Sequence, residues 1–261
     1  MGGIEISYGI SFLFGPGKRP DRAAIRKLID DIGGFDITDN PEGVPDGLTQ
    51  SAQAGHNASP DGWVELICSG LTFDLRGIAP WEGRRLPDCA YPFDLPAELE
   101  PALLEAVELR PGPHLAGGER MTPVVRIMMD LATRLCALEG LEAVAWHPAR
   151  SWIGPRYFTS IVTNWLDGGV FPGLGLVGLG MVADGGMQSE GVGFFTGQEI
   201  RIEPELAEDR AAAAKIAVRL IDHLVEAGPL EGREEFMGPD GRMLRIEPSS
   251  NGRFVRVWSA G

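Results

Sequence analysis

The sequence predicts an α+β protein in which a mixed or mainly antiparallel sheet packs with three to four helices. Segments of strand-like alternation come in pairs: residues 63–67 and 71–75, joined at Ser69 and Gly70, are typical of a hairpin. Few segments with helical spacing separate such pairs. Strands that follow one another in this way favour an antiparallel or mixed sheet over a doubly wound parallel one.

The start of the chain predicts a strand followed by a helix. Apolar side chains alternate with small or polar ones over residues 4–14, which is typical of a half-buried strand. A helix with one apolar face is predicted to begin at Pro20 and Asp21 and to end at Gly33 and Gly34. Residues 39–62 are rich in Asn, Pro, Gly, Ser and Asp, and they predict a long loop.

The segment between residues 78 and 111 predicts a junction between two lobes. Residues 78–96 contain four prolines and show no regular period, so they indicate an irregular segment. Residues 97–109 predict a short helix. We therefore expect an N-terminal, β-rich lobe with one helix over residues 1–115 and a C-terminal α+β lobe over residues 116–261, or else one continuous domain.

The second half of the chain predicts three further helices and a closing hairpin. Helical spacing indicates helices over residues 122–138, 155–166 and 205–227, and Pro155 suits the first position of the second helix. Short apolar runs indicate strands over residues 143–146, 174–183, 192–195, 199–202, 243–246 and 254–258.

The formal net charge of −14 indicates which kinds of molecule this chain is expected to bind. Residues 61–120 contain eleven acids against five bases, whereas residues 121–180 contain four of each. A negative field repels nucleic acid and anionic lipid, and it speeds the encounter with a basic protein surface. The charge therefore disfavours nucleic-acid and membrane binding and favours a basic protein partner.

Targeting and redox signals predict a cytoplasmic location. The longest apolar run, residues 170–182, is interrupted by a proline and four glycines and falls short of the ~20 residues that a membrane-spanning helix needs. The first residues lack the pattern of a secretory signal. Cys68, Cys89 and Cys136 are odd in number and far apart, which is typical of reduced thiols and not of disulfides or a zinc site.

Patterns for catalysis and cofactor binding are weak in this sequence. Residues 173–178 fit the glycine pattern of dinucleotide-binding loops, but no strand is predicted before them and no helix after them to meet the phosphates. The four histidines share no helical face with a carboxylate between them, and no Gly-x-Ser-x-Gly elbow occurs. We therefore predict no catalytic residue, no cofactor and no metal, in a protein that is not an enzyme.

Acidic and aromatic side chains come together around residue 94. Residues 94–108 hold five acids and no base, and the aromatic residues Trp81, Tyr91 and Phe93 lie shortly before them. Protein interfaces often combine charge that steers a partner with large apolar side chains that anchor it. The structural alternative is that the acids lie along the flank of a helix and the aromatic side chains belong to the core. The sequence therefore predicts a partner-binding surface formed by Trp81, Tyr91, Asp94, Glu98, Glu100, Glu105 and Glu108.

Several short motifs resemble those of bacterial toxin-immunity proteins. They are ISFLFG at 10–15, GWVEL at 62–66 and WIGPRYF at 152–158, and they resemble the immunity-protein family numbered 52. That family is associated with nuclease toxins of the restriction-endonuclease fold in polymorphic and type VI secretion systems. GQEIRI at 197–202, with the helix after it, is similar to the bacterial domain-of-unknown-function family numbered 4261. The resemblance implies that the chain binds and neutralises a nuclease toxin in the cytoplasm, and it transfers no catalytic residue.

Two other functions stay open on the sequence. One is a small-ligand or nucleotide-binding enzyme whose site uses residues 173–186, from Gly173 to Gly186, together with His147, Arg150 or Arg156. The other is a structural or interaction protein without a toxin partner. The sequence does not distinguish a monomer from a homodimer.

Overall fold

The fold combines two sheets with seven α-helices within residues 8–38 and 62–260, which are the residues that the computed structural model describes. Both sheets are mainly antiparallel, which confirms the predicted α+β class. Four helices have eleven or more residues and match the predicted three to four. The other three are single turns of four or five residues, too short to produce a periodic pattern.

The first sheet has eight strands in the order β2-β3-β4-β6-β1-β7-β8-β5. These strands are β1 (Ile10–Phe14), β2 (Asp36–Ile37), β3 (Trp63–Cys68), β4 (Leu71–Arg76), β5 (Tyr91–Phe93), β6 (Glu105–Pro111), β7 (Leu141–Trp146) and β8 (Ser151–Ile153). Neighbouring strands are antiparallel, except that β5 runs parallel to β8. The predicted hairpin is confirmed as β3 and β4, with Ser69 and Gly70 at the turn.

The second sheet has six strands in the order β12-β13-β14-β11-β10-β9. These strands are β9 (Gly178–Met181), β10 (Met187–Glu190), β11 (Glu199–Ile202), β12 (Glu234–Met237), β13 (Met243–Pro248) and β14 (Phe254–Ser259). The predicted closing hairpin is confirmed as β13 and β14. β11 runs parallel to β14, and the other pairs are antiparallel.

The helices lie on the faces of the sheets that form the main core. They are α1 (Arg22–Ile32), α2 (Thr122–Leu135), α3 (Pro155–Leu166), α4 (Gly173–Leu176), α5 (Val192–Thr196), α6 (Pro204–Ala207) and α7 (Arg210–Ala227). No helix in the described part of the chain is both long and apolar enough to span a bilayer.

Aspartate side chains set the starts of two long helices. The Asp21 carboxylate accepts a hydrogen bond from the Ala24 N–H at 2.8 Å, so α1 begins where the sequence predicts. Asp209 caps α7 in the same way by accepting from the N–H groups of Ala211 and Ala212. The prediction of one continuous helix over residues 205–227 is therefore wrong, because this cap separates α6 from α7.

Strand β1 is buried on both of its faces, so the prediction of a half-buried strand is wrong for its described part. Phe12 belongs to the main core, in which α2 and α3 contribute buried residues, whereas Leu13 belongs to a smaller apolar cluster on the opposite face of the sheet. A central strand of a sheet that is covered on both sides carries large apolar residues at successive positions.

Two helix and strand assignments from the sequence are reversed in the structure. Residues 105–111 form β6, which pairs with β1 and β4, and so the predicted helix over residues 97–109 is wrong. Residues 192–196 form α5, not a strand, and the run 174–183 divides into the turn α4 and strand β9. Pairing with distant strands outweighs local preference at β6. The long loop predicted over residues 39–62 lies outside the described residues, apart from position 62.

The change from the first sheet to the second comes later in the chain than the predicted lobe boundary at residue 115. β7 and β8 come from the predicted C-terminal lobe, yet β7 pairs with β1 in the first sheet. The first sheet thus extends to Ile153, and the second begins at Gly178. One large cluster of buried side chains includes residues from both sheets.

Candidate functional site

The outer face of the first sheet, opposite the helices, is covered by residues on either side of the edge strand β5, and we call residues 81–104 the covering segment. Three of its side chains, Leu86, Leu95 and Leu99, pack against the smaller apolar cluster. The sheet contributes Leu13, Ala106, Ala143, Ala145 and Trp152 to this cluster. The alanine side chains leave room for the leucines, and this contact holds the segment against the sheet.

The covering segment carries most of its charge on the solvent side. Its exposed acids are Glu82, Asp88, Asp94, Glu98 and Glu100. Arg85 is the exposed base of the segment, and Arg84 is half-buried beside Glu108. Within the described residues, no ion pair joins Asp94, Glu98 or Glu100 to a base. The segment therefore presents a surplus of negative charge to any approaching partner.

Two large apolar side chains stand exposed at the ends of the same segment. Trp81 is 40% exposed and Leu103 is 53% exposed. The Trp81 ring lies so close to Gly62 that a Cβ there would collide with it, and the Trp81 carbonyl accepts a hydrogen bond from Arg19 Nη1 at 2.8 Å. The backbone of Trp81 is thus fixed, while part of its indole is available for contact.

Glu105 has a structural role beside this surface. Its Oε2 atom accepts hydrogen bonds from Arg19 Nε at 3.2 Å and from the Gly17 N–H at 3.1 Å. Arg19 also donates to the carbonyls of Gly77 and Trp81. Glu105 therefore helps to hold the turn before α1 against the covering segment, and its charge is already balanced by Arg19.

Glu108 is buried in the sheet and does not reach the surface predicted for it. Its carboxylate lies 2.8 Å from Arg110 Nη2, 3.6 Å from Arg84 Nε and 3.7 Å from His147 Nδ1. The prediction that Glu108 contacts a partner is inconsistent with this position, because β1 and β4 enclose the strand that carries it. Glu108 instead pairs with Arg84 and Arg110, whose side chains are partly exposed.

A hydrogen bond of 2.9 Å between Ser11 Oγ and His147 Nε2 extends this network. The order serine, histidine, glutamate has the connectivity of a nucleophile, a base and an orienting acid. Ser11 is, however, only 1% exposed in the central strand β1, so a substrate cannot approach its hydroxyl. Sequence reasoning missed the contact because 136 positions separate the two residues. The network is best explained as internal charge balance.

Tyr91 lies where the edge strands of the two sheets meet. Its ring packs on Gly178 and its hydroxyl lies near Gly180, and a Cβ at Gly178 would overlap the ring. Gly175 is likewise close to Ile161, with a φ of +123°. Close packing therefore explains two of the three glycines that fit the dinucleotide pattern, Gly175 and Gly178, and Tyr91 serves the junction between the sheets.

A cleft of about 420 Å³ opens next to this junction. Arg150 and Gly180, which the ligand-binding alternative combines, both line it, whereas His147 and Arg156 do not. The Arg150 guanidinium makes two hydrogen bonds to Glu190, at 2.6 and 2.9 Å. Among the described residues that line the cleft, Arg150 is the one strong cation, and Glu190 neutralises it, so that little charge is left there to hold an anionic ligand.

Glu199 also lines this cleft and is held by four hydrogen-bond donors around its carboxylate. The Ser189 hydroxyl donates to Oε2 at 2.5 Å, and the N–H groups of Gly191 and Gly193 donate to Oε1 at 2.9 Å. A fourth comes from the backbone of Val192. Burial nevertheless raises the pKa of Glu199 above its ordinary value of 4.5, because desolvation outweighs these bonds.

We expect Glu199→Gln to change how stability depends on pH. The raised pKa means that the folded chain binds this proton more tightly than the unfolded chain does. The resulting stabilisation is complete below pH 4.5 and is lost as the pH rises through the folded-state pKa. The free energy of unfolding of the wild type, relative to the variant, should therefore fall as the pH rises above 4.5. Urea denaturation at several pH values measures it, and a constant difference would contradict the prediction.

Metal binding finds no support in the described residues. No group of three or more His, Cys, Asp or Glu side chains lies close enough to hold a metal ion there. Cys136 is a half-buried thiol whose pKa is raised by desolvation to about 12.

Comparisons with known proteins leave the function to be inferred from this geometry. No protein-family model matches the chain, no curated protein matches it, and no solved structure matches it. The resemblance to immunity proteins therefore stays a prediction. Of the seven side chains predicted for a partner surface, four are exposed on the covering segment, namely Trp81, Asp94, Glu98 and Glu100.

Proposed function

We propose that this chain is an immunity protein that binds a cognate nuclease toxin in the cytoplasm and neutralises it without catalysing a reaction. The observation that carries the proposal is the covering segment. Asp94, Glu98 and Glu100 are exposed there without an ion pair to a described base, in the same segment as the exposed Trp81 and Leu103. Interfaces combine such anchors with complementary charge.

The net charge supports a basic partner of this kind. A nuclease needs a positive surface to hold the phosphates of its substrate, and a chain with a net charge of −14 is attracted to that surface. The attraction acts before contact and raises the association rate. An inhibitor that occupies the nucleic-acid surface needs no reactive group, which fits a site made of acids and apolar side chains.

Charge reversal on the covering segment tests this proposal. In Glu98→Lys/Glu100→Lys we expect the affinity for the toxin encoded by the neighbouring gene to fall about tenfold or more, mainly through slower association. The matched control is Glu226→Lys/Glu231→Lys, which changes the net charge equally at exposed positions outside the segment. Surface plasmon resonance at low and high salt gives both rates, and co-expression with the toxin gives cell survival.

Two outcomes would contradict the proposal. Equal losses in the test pair and the control pair would show that only net charge matters and that the covering segment is not the contact. Survival of toxin-expressing cells without this chain, or the absence of any complex with the neighbouring gene product, would remove the immunity function itself.

The cleft beside Tyr91 keeps a ligand-binding function as the second candidate, because it brings Arg150 and Gly180 together as that alternative requires. A thermal-shift screen with nucleotides and metal ions tests it, since a ligand that binds only the folded chain raises the melting temperature. A flat response across the screen would exclude this function.

A further inference from the structure

The second sheet has one face covered by a helix and one face turned to solvent. On the covered face, Leu244 and Val257 are buried, and the Phe236 ring packs on His223 of α7. On the opposite face, Met237 and Met243 are paired across strands β12 and β13 and are 53% and 39% exposed. Two exposed methionines side by side form an adaptable apolar contact surface.

Arg245 lies on the same open face, and no carboxylate in the described residues forms an ion pair with it. Its guanidinium carbon lies 4.6 Å from the centre of the Trp258 ring, and its Nε atom has no hydrogen-bond partner. Arg256 also contacts that ring, but it pairs with Glu203 at 2.7 Å. Arg245 is therefore held against an indole and has no ion-pair partner among the described residues.

Glu235 is the neighbour of Arg245 across strands β12 and β13. Its side chain is exposed, and no ion pair joins the two residues. The open face thus presents one positive and one negative group next to each other, beside Met237, Met243 and the Trp258 ring. Arginine, methionine and tryptophan are enriched in protein interfaces relative to the rest of the surface.

We propose that this face, formed by Glu235, Met237, Met243, Arg245 and Trp258, binds the same face of a second copy of this chain about a two-fold axis. A two-fold contact brings the same surface together twice, so it must be self-complementary. Here each copy offers Glu235 to the Arg245 of the other, and the methionines meet at the axis. Two sheets stack face to face at a spacing of about 10 Å.

The two-fold contact is independent of the proposed toxin binding and has the opposite response to salt. Two chains that each carry a net charge of −14 repel one another at long range, so salt strengthens their association by screening. Salt weakens the binding of a basic toxin to the covering segment. The two contact surfaces also lie apart in the fold. Tyr91 of the covering segment packs at the β9 edge of the second sheet, whereas the open face lies at the opposite, β12 edge.

Sedimentation equilibrium on the full chain, over a range of protein and salt concentrations, tests the dimer. We expect a monomer–dimer equilibrium that shifts toward the dimer at high salt. Arg245→Glu should weaken the dimer by about a hundredfold, because it places like charges together twice. Arg219→Glu, on the exposed side of α7, makes the same charge change and should leave the equilibrium unchanged.

The double variant Arg245→Glu/Glu235→Arg exchanges the two charges and should restore the dimer. Near-ultraviolet circular dichroism confirms that each variant is folded. A wild-type chain that stays monomeric at every concentration would overturn the proposal and leave the face for a different protein. A dimer that Arg245→Glu does not weaken, or that the double variant does not restore, would overturn it as well.

Discussion

Replacing Trp146 with alanine is expected to lower the free energy of unfolding by about 3–5 kcal/mol, because its indole fills the core that the two sheets share. Trp146 is fully buried at the end of β7. Its ring meets Phe194 edge-on, with ring centres 5.1 Å apart, and its N–H donates to the Leu176 carbonyl at 3.0 Å. Alanine removes the packing and leaves that carbonyl without its donor. Urea denaturation followed by circular dichroism measures the loss.

Trp146→Phe is the matched control for this prediction. Phenylalanine keeps an aromatic ring beside Phe194 and loses the hydrogen bond to Leu176, so we expect a smaller cost of about 1–2 kcal/mol. Equal losses in the two variants would show that the hydrogen bond dominates and that ring packing contributes little. A negligible loss in Trp146→Ala would show that the core collapses into the space.

Local signals in the sequence predict the hairpins, three of the four longer helices and the body of the fourth, α7, although not its start. Asp21 and Pro155 mark helix starts through a side-chain cap and a fixed φ, and both act within one turn of the chain. Gly70 completes the tight turn between β3 and β4 in the same local way, with a φ of +81°. Features of this kind depend on neighbours in sequence and are therefore readable there.

Pairing between distant segments could not be predicted in the same way. Residues 105–109 combine glutamate, alanine and leucine, which favour a helix, yet they form β6 because β1 and β4 offer backbone partners on both sides. The short helix α5 begins at Val192, where β-branched and aromatic residues favour a strand. In both segments the tertiary environment outweighs local preference.

The sequence predicts only part of the candidate surface, because a local pattern does not show which distant residues surround each carboxylate. Glu98 and Glu100 lie in an irregular segment, where acidic side chains face water by default, and they are exposed as expected. Glu105 and Glu108 belong to β6, so their surroundings are set by Arg19, Arg84 and other residues far away in sequence. Acidity alone does not show whether a carboxylate meets solvent or a buried arginine.

Glu108→Ala is expected to lower the free energy of unfolding by about 3 kcal/mol, because it removes the buried carboxylate that pairs with Arg84 and Arg110. The Glu108 side chain is 6% exposed, and it lies 2.8 Å from Arg110 and 3.6 Å from Arg84. Both arginines keep some contact with water, so we expect the loss of stability to lie near the lower end of the range for breaking a buried ion pair. Urea denaturation of the variant measures it.

Glu105→Ala provides the control within the same strand. It makes the identical chemical change, but the Glu105 side chain is 35% exposed, so solvent partly screens its ion pair with Arg19, whose own side chain is 12% exposed. We expect a smaller loss of about 1–2 kcal/mol here, because this pair is only partly buried. Equal losses at the two positions would mean that burial does not set the value of the carboxylate. A larger loss at Glu105 would place the main charge balance of β6 at the turn before α1 and not at the centre of the sheet.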